Sequence, residues 1–298
     1  MMWFLLLAPV VFAVTGVGAV VAGPSAARRA AAILIAGCGL GIVRIVPSDE
    51  VLARGILAVG SCFLFLRMFD VVAEARRPAL QRLALACCVL DPRGFVAVKP
   101  SVSGPLVARG LAFLVLAIAA WQAASSARGR EEWWAGAGGF VAGLSLLYAG
   151  LEVADAAFRS GYLLAGWRAP AVQRDPVVSR SLAEFWGRRW NRVVGGMLFR
   201  WFFRPVARRG SAALGVMAAF TASGLLHSGP TLVALDLGAA VQMQGFFMLH
   251  GGLVLLERAL GVARWPSWAA HGWVVTMMLG MGWLFVGPAL RMFGILGG

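Results

Sequence analysis

The sequence predicts an all-α polytopic membrane protein with about eight transmembrane helices and additional interfacial or re-entrant helices, and three observations carry that prediction. Of its 298 residues, 60% are hydrophobic and only 13% are charged, whereas about a quarter of a soluble domain is charged. Mean hydropathy is +0.80. Several runs of about 20 residues with few charges match a hydrocarbon layer of roughly 30 Å, where every backbone N–H and C=O must be paired within the protein. The third observation is where the charge sits. A net charge of +14 comes almost wholly from arginine, Lys99 being the one lysine, and most arginines lie between apolar runs. That pattern sets sidedness in a membrane. It argues against a nucleic-acid partner and is compatible with anionic lipid or an anionic ligand.

Taken in order, residues 2–22 form the first span, closed by Pro24, Arg28 and Arg29. No basic residue precedes its apolar core, so it reads as a retained span rather than a signal peptide. Residues 30–46 form the second, with Gly37 and Gly41 spaced for close helix approach. After a turn at 47–50, residues 51–69 return and end at Asp70. Between Glu74 and Lys99 the apolar piece 83–90 is too short to span and is expected at the surface or re-entering. Residues 104–124 and 133–158 are the next two spans. They are joined by a turn carrying Arg128, Arg130, Glu131 and Glu132, with Trp133 and Trp134 at the interface. Residues 159–210 hold eleven arginines against Asp175 and Glu184, which marks a cytoplasmic segment. Spans 211–227, 237–257 and 269–290 follow, the first two separated by a turn at 228–231. Eight spans place both termini outside. No repeat or second soluble domain is visible, so residues 1–298 read as a single transmembrane domain. The four cysteines, Cys38, Cys62, Cys87 and Cys88, lack paired spacing and read as small buried hydrophobes.

One stretch stands apart, Ser181 to Asn191, SLAEFWGRRWN, which concentrates aromatics, charge and an amide. Ser181 with Glu184 three residues later is a capping box, so a helix is expected to start there. At about 100° per residue, Leu182, Trp186, Trp190, Val193, Val194 and Met197 share one face. Arg188, Arg189 and Arg192 fall on the other, with Phe185 among them. Asn191 lies on the border, where an unpaired amide costs about 1–3 kcal/mol. Such a placement suits a group that orients a reactant. It equally suits an interfacial helix with snorkelling arginines.

The polar residues inside the spans are few. His227 ends the run Ser223-Gly224-Leu225-Leu226-His227, and Ser223 and Gly224 leave the helix surface beside it small and partly polar. A histidine in a span is a functional hypothesis and is matched to proton transfer near neutral pH; an interhelical hydrogen bond is the plainer reading. His250, with Gln242 and Gln244 on the same span, carries the same two readings, and His271 reads as an interface residue. Glu152 and Asp155 share a face at the end of the fifth span and are expected to pair with arginines of the following segment or else to line a polar cavity. Three scattered histidines do not form the pairs of a di-iron or zinc site, and there is no G-x-S-x-G elbow and no P-loop.

With Arg200 to Pro205 and the later SGLLH added, SLAEFWGRRWN resembles the wax-synthase-like branch of the membrane-bound O-acyltransferases. The resemblance covers residues 180–227 and implies an acyltransferase. An acyl-CoA would donate its acyl group to a hydroxyl acceptor, in the manner of a wax ester synthase, with no permanently bound cofactor and no metal. It implies His227 and Asn191 as the active pair. Arg188, Arg189, Arg192, Trp186 and Trp190 would serve the CoA donor, and Ser223, Gly224 and His250 would line the substrate path. The expected partners are acyl-CoA, an alcohol or other hydroxyl acceptor, and membrane lipids; the sequence leaves oligomeric state open. The implied location is a bacterial-type inner or plasma membrane with the basic loops cytoplasmic. Close relatives tend to read SGLLHE, where this chain has Ser228 after His227. A non-catalytic membrane carrier of lipid or a small metabolite is the alternative, and it predicts two similar halves, which the sequence does not display.

Overall fold

The computed structural model describes residues 2–127 and 133–294, with side chains in the second range from residue 136 onward. The expected turn of Arg128, Arg130, Glu131 and Glu132, and the side chains of Trp133 and Trp134, lie outside the described residues. The helices are α1 (Met2–Val21), α2 (Ala26–Ile42), α3 (Val51–Ala73), α4 (Ala79–Cys87), α5 (Gly104–Ser126), α6 (Trp133–Leu164), α7 (Leu182–Glu184), α8 (Arg192–Leu198), α9 (Arg204–Arg209), α10 (Ala212–Ala234), α11 (Leu237–Ala259) and α12 (Ser267–Met292). Among the described residues eight of these, α1, α2, α3, α5, α6, α10, α11 and α12, are long and apolar enough to cross a membrane. The protein is an all-α polytopic integral membrane protein. The only paired strands among the described residues are β1 (Val96–Ala97) and β2 (Trp167–Arg168), antiparallel with Val96 opposite Arg168.

Two compact units partition the chain, residues 1–89 with 197–248 and residues 90–196 with 249–298. In the first, α1, α2, α3 and α4 pack together. Ala19, Ala32, Ala36, Met68, Val71 and Leu85 are buried at their centre. The segment expected at the surface or re-entering is α4, a nine-residue helix laid on α1 and α3. Arg82 explains its position. Its guanidinium donates to the carbonyls of Ala19 and Val20 at 2.9 Å and also to those of Ala75 and Arg77. These are carbonyls at or just past the ends of α1 and α3, where helices leave acceptors unpaired and favour a cation.

In the second unit α5 packs along α6, and α12 also meets α6. The close approaches occur at glycines other than the expected pair. Around Gly37 the nearest atom to an added Cβ would be 3.8 Å away, and nothing lies within 4 Å at Gly41. At Gly143 the same Cβ would meet Leu290 at 2.6 Å and Val286 at 2.7 Å, so α6 and α12 touch there because a side chain is missing. Helix α6 has 32 residues, which at 1.5 Å rise is about 48 Å, well beyond a roughly 30 Å hydrocarbon layer. Its extra turns carry Glu152, Asp155 and Arg159. All four cysteines are free thiols, and Cys38 and Cys87 are exposed rather than buried.

Helix α10 departs most from the sequence expectation. The turn expected at 228–231 is helical, and the helix continues to Ala234 through Pro230. Pro230 removes the N–H that would reach the Leu226 carbonyl, Thr231 Oγ1 adds a bond to the neighbouring His227 carbonyl at 2.8 Å, and Pro230 and Thr231 are both buried. Packing therefore carries the helix past its proline, and the true turn comes at Leu235–Asp236. Asp236 Oδ1 accepts from Ala239 N at 2.7 Å and caps α11. His227 thus sits about two turns inside the span rather than at its end.

Candidate active site

The signature stretch lies in the second unit. Its first turn is fully paired. Ser181 Oγ accepts from Glu184 N at 2.9 Å, while Glu257 Oε2 and Oε1 accept from Leu182 N and Ala183 N, each at 2.7 Å. Glu184 reaches one residue past the cap, accepting from Arg180 N at 2.8 Å rather than from Ser181 N as a capping box would, and it also accepts from Arg189 Nε at 2.7 Å. Partial burial pushes the Glu184 carboxyl up, but those two donors outweigh it and hold it below its ordinary value.

Beyond Glu184 the expected regular helix gives way to a π-helical segment, Phe185–Arg189, closed by Trp190 N donating to Phe185 O at 2.8 Å. This i→i+5 winding changes which residues share a face. Phe185, expected among the arginines, is buried and stacks on Trp190 with centroids 5.4 Å apart and planes within 14°. A 100° step would have sent them apart; the wider turn lays one over the other. Tyr148 stacks on Trp190 at 6.4 Å, Trp186 meets Phe185 edge-on at 5.0 Å, and His250 meets Trp186 edge-on at 5.5 Å. His250 is fully buried. His250, Val254 and Glu257 stand at i, i+4 and i+7 on α11, so one face of that helix engages Leu182, Ala183 and Trp186 together.

The helix then breaks at Asn191, whose φ of 33° lies in the left-handed region. Its N–H donates to Gln173 Oε1 at 3.1 Å. Its own Oδ1 accepts from Val194 N at 3.2 Å, capping α8. A backbone N–H can only donate, so this bond assigns the amide: Oδ1 faces the helix and Nδ2 is turned away from it as a donor. The face expected to run unbroken from Leu182 to Met197 is therefore two short helices hinged at Asn191.

The three arginines differ. Arg189 donates to Glu184 and to the carbonyls of Arg174 at 3.0 Å and Asp175 at 3.3 Å. Arg192 donates to the Ala171 carbonyl at 3.1 Å. Arg188 is exposed, and its side chain makes no hydrogen bond among the described residues. The loop holding Arg174 and Asp175 is itself fixed, because Arg109 makes a two-pronged pair with Glu152 at 3.0 and 3.1 Å and reaches Asp175 at 3.1 Å. Glu152 thus pairs with the preceding span rather than the following segment. Asp155 pairs with Arg159 at 3.2 Å and accepts from Val172 N at 2.9 Å. His271, expected at the interface, contacts the Ser179 carbonyl through Nδ1 at 3.0 Å.

His227 lies in the first unit. Its Nδ1 is 2.8 Å from the Ser223 carbonyl oxygen. A carbonyl can only accept, so Nδ1 bears the proton and, in the neutral ring, Nε2 bears the lone pair. Phe247 packs on the imidazole at 4.5 Å. Ser223 and Gly224 are buried on the same helix, Ser223 engaged through its carbonyl. The Arg200 to Pro205 run is anchored in this unit by Asp70, which is fully buried. Asp70 accepts from Arg200 Nε and Nη2 at 3.1 and 2.9 Å and from Trp201 Nε1 at 3.0 Å. Arg67, also fully buried, lies 3.5 Å from Asp70.

The first unit therefore collects His227, Ser223 and Gly224, and the second collects Asn191, the three arginines, Trp186, Trp190 and His250. Sequence reasoning missed Glu257, Asp70, Arg67 and Arg109. The available signal was simply an ionisable residue within an apolar run. Gln173 was missed as well, and its isolated position in a loop carried no signal.

Residues 169–249 match the model of the membrane bound O-acyl transferase family. Among curated relatives the chain is 34% identical over 142 residues to the probable long-chain-alcohol O-fatty-acyltransferase 2 of Arabidopsis thaliana, covering 43% of this chain and 41% of the relative. It is 30% identical over 131 residues to the long-chain-alcohol O-fatty-acyltransferase of Simmondsia chinensis, covering 39% and 37%. It is 29% identical over 124 residues to the acyl-CoA--sterol O-acyltransferase 1 of Arabidopsis thaliana, covering 37% and 36%. The chain spans about two fifths of the length of the curated relatives it matches. The matched segment holds both the hinge at Asn191 and the oriented imidazole of His227, and over that segment this chain's likeness is to the membrane bound O-acyl transferase family in its wax-synthase-like branch.

Proposed function

We propose that the protein is an acyl-CoA-dependent O-acyltransferase of the wax ester synthase type, acting as a single transmembrane domain over residues 1–298. The observation that carries the reading is the oriented imidazole of His227, whose tautomer leaves Nε2 as a base. In the proposed reaction Nε2 takes the proton of an acceptor hydroxyl as its oxygen attacks the thioester carbonyl. The C–S bond then breaks, and the proton passes to the departing CoA thiolate, giving ester and free CoA. Asn191 would donate from Nδ2 to the acceptor or to the developing oxyanion, a role in which preorganised amide donors are effective. Arg188, with the outer N–H groups of Arg189 and Arg192, would meet the phosphates of CoA. Trp186 and Trp190 would flank the donor, and Ser223, Gly224 and His250 would line the substrate path. No permanently bound cofactor is part of this scheme. By the sidedness of basic loops the segment 159–210 would face the cytoplasm, in a bacterial-type inner or plasma membrane.

The test is ester formation from labelled long-chain acyl-CoA and a fatty alcohol by protein in detergent or vesicles. His227→Ala should lower turnover by about 10² to 10⁴ while the protein still elutes as a folded species. Near-full activity in that variant sinks the assignment of the base.

A further inference from the structure

Gln244 lies on α11 in the first unit, and its carboxamide presses on the histidine helix at Gly224. A Cβ at that position would come within 2.5 Å of Gln244 Nε2 and 2.6 Å of Oε1, so the amide occupies the space that a side chain at Gly224 would take. Gly224, His227 and Ser228 stand at i, i+3 and i+4 on α10 and share one face. Ser228 Oγ donates to Gln244 Oε1 at 3.3 Å. The carboxamide thus lies along the face that carries the imidazole. Phe247, three residues further along α11, packs on His227 itself, so consecutive turns of α11 meet consecutive positions of that face.

Ser228 does not need this partner. A serine in a helix can bond the carbonyl four residues back, as Thr231 does to His227. Nor does packing call for an amide, since a leucine fills similar volume without a polar group to satisfy. With Oε1 engaged by Ser228, the donor that remains is Nε2, and Gln244 is half-buried rather than sealed. A carboxamide N–H beside a base with an oriented lone pair has the chemistry to hold a hydroxyl, which donates its proton to one partner and accepts from another.

Resting on the acyl-transfer reading above, we propose that Gln244 is a specificity-determining residue that holds the acceptor hydroxyl. Nε2 donates to the acceptor oxygen, the hydroxyl proton is directed to His227 Nε2, and the remaining oxygen lone pair attacks the thioester carbonyl. A thiol acceptor separates this role from a purely structural one. Acyl exchange from acyl-CoA to a long-chain thiol uses the same base and yields a new thioester and free CoA. Sulfur is a weak hydrogen-bond acceptor, so the contact with Gln244 contributes little to it.

The experiment measures kcat/KM for a long-chain alcohol and for the thiol of equal length, with wild-type protein and with Gln244→Leu and Gln244→Glu. Leucine removes the whole amide. Glutamate keeps an acceptor for Ser228 and removes the donor, and it carries the test if the leucine variant does not accumulate. The expected result is a loss of about 5- to 10-fold with the alcohol, the worth of one hydrogen bond of roughly 1 kcal/mol, with less than a twofold change for the thiol. Equal losses for both acceptors, or unchanged alcohol turnover in a folded variant, overturn the proposal. If the wild-type protein transfers no acyl group to any alcohol, the acyl-transfer reading itself fails, which is a different outcome from a Gln244 variant that behaves like wild type.

Discussion

Glu257 offers the most direct test of how the signature is held. It is 4% exposed, lies near the end of a membrane-spanning helix, and spends both carboxylate oxygens on two backbone N–H groups at 2.7 Å. Those groups belong to a helix start that has no partner of its own for them. Glu257→Ala leaves two N–H groups unsatisfied at about 1–3 kcal/mol each, so roughly 2–6 kcal/mol of local stability is at stake. Glu257→Gln keeps one acceptor and turns an NH2 toward the other N–H, so it loses about half of that. The effect is local to Leu182–Glu184 and the π segment after it. Amide hydrogen exchange followed by mass spectrometry reads it: a loss of about 2 kcal/mol speeds exchange roughly 30-fold where opening is local. The order of protection should be wild type, then glutamine, then alanine, across peptides covering 182–190, with α5 unchanged as an internal control. Exchange in 182–190 that is the same in the alanine variant as in wild type refutes the claim that Glu257 holds the stretch.

Three further predictions follow from the geometry. Asp70→Asn should strip the charge partner from Arg200 and Arg67 at a buried site, costing about 3–5 kcal/mol, and thermal unfolding in detergent should show it as a large fall in midpoint or loss of folded yield. Asn191→Ala removes the cap of α8, worth about 1 kcal/mol, and adds the strain of a positive φ. Asn191→Gly removes the cap but keeps the backbone, so the glycine variant should be the more stable of the two while both lose acyl transfer; recovered activity in the glycine variant would remove the amide from the chemistry. For Glu184, the folded carboxyl lies below its ordinary value, so its stabilising contribution is present above about pH 4.3, the unfolded value, and disappears as pH falls through the folded one. Protection in 180–190, taken relative to the intrinsic exchange rate at each pH, should fall in acid below that value, and Glu184→Gln should flatten the dependence.

The eight long helices were legible because each is an apolar run of spanning length, and hydropathy acts over the whole run rather than at one residue. Boundaries were less so. The Ser-Gly-Pro-Thr run at 228–231 carries the composition of a turn, yet burial of Pro230 and Thr231 and the bond from Thr231 to the His227 carbonyl keep it helical. The helix start at Ser181 was read correctly because a cap is a local signal, although Glu184 reaches Arg180 N rather than the N–H of the cap itself. The π winding after it was not, since nothing in FWGRR announces five residues per hydrogen-bonded ring, and Phe185 was consequently placed on the wrong side. Histidine and asparagine were singled out by residue type, whereas their orientation depends on a carbonyl and a backbone N–H that no spacing rule supplies. Glu257 illustrates the remaining gap: its partners are 75 and 74 residues away.

Arg82 has a consequence for the order in which the chain is made. Its carbonyl partners at Ala19 and Val20 precede it by 63 and 62 residues. At about 5–20 residues per second of synthesis, the end of α1 emerges and waits roughly 3–13 seconds before its guanidinium exists. During that interval α1 and α2 can pair by apolar contact alone, α3 being complete only nine residues before Arg82, while the acceptors at Ala19 and Val20 remain without the guanidinium. The arrival of α4 then closes the group in one step, because a single side chain engages four carbonyls drawn from both ends. A chain truncated before residue 82 should therefore hold a loosely joined helical trio, and one extended well beyond it a locked quartet.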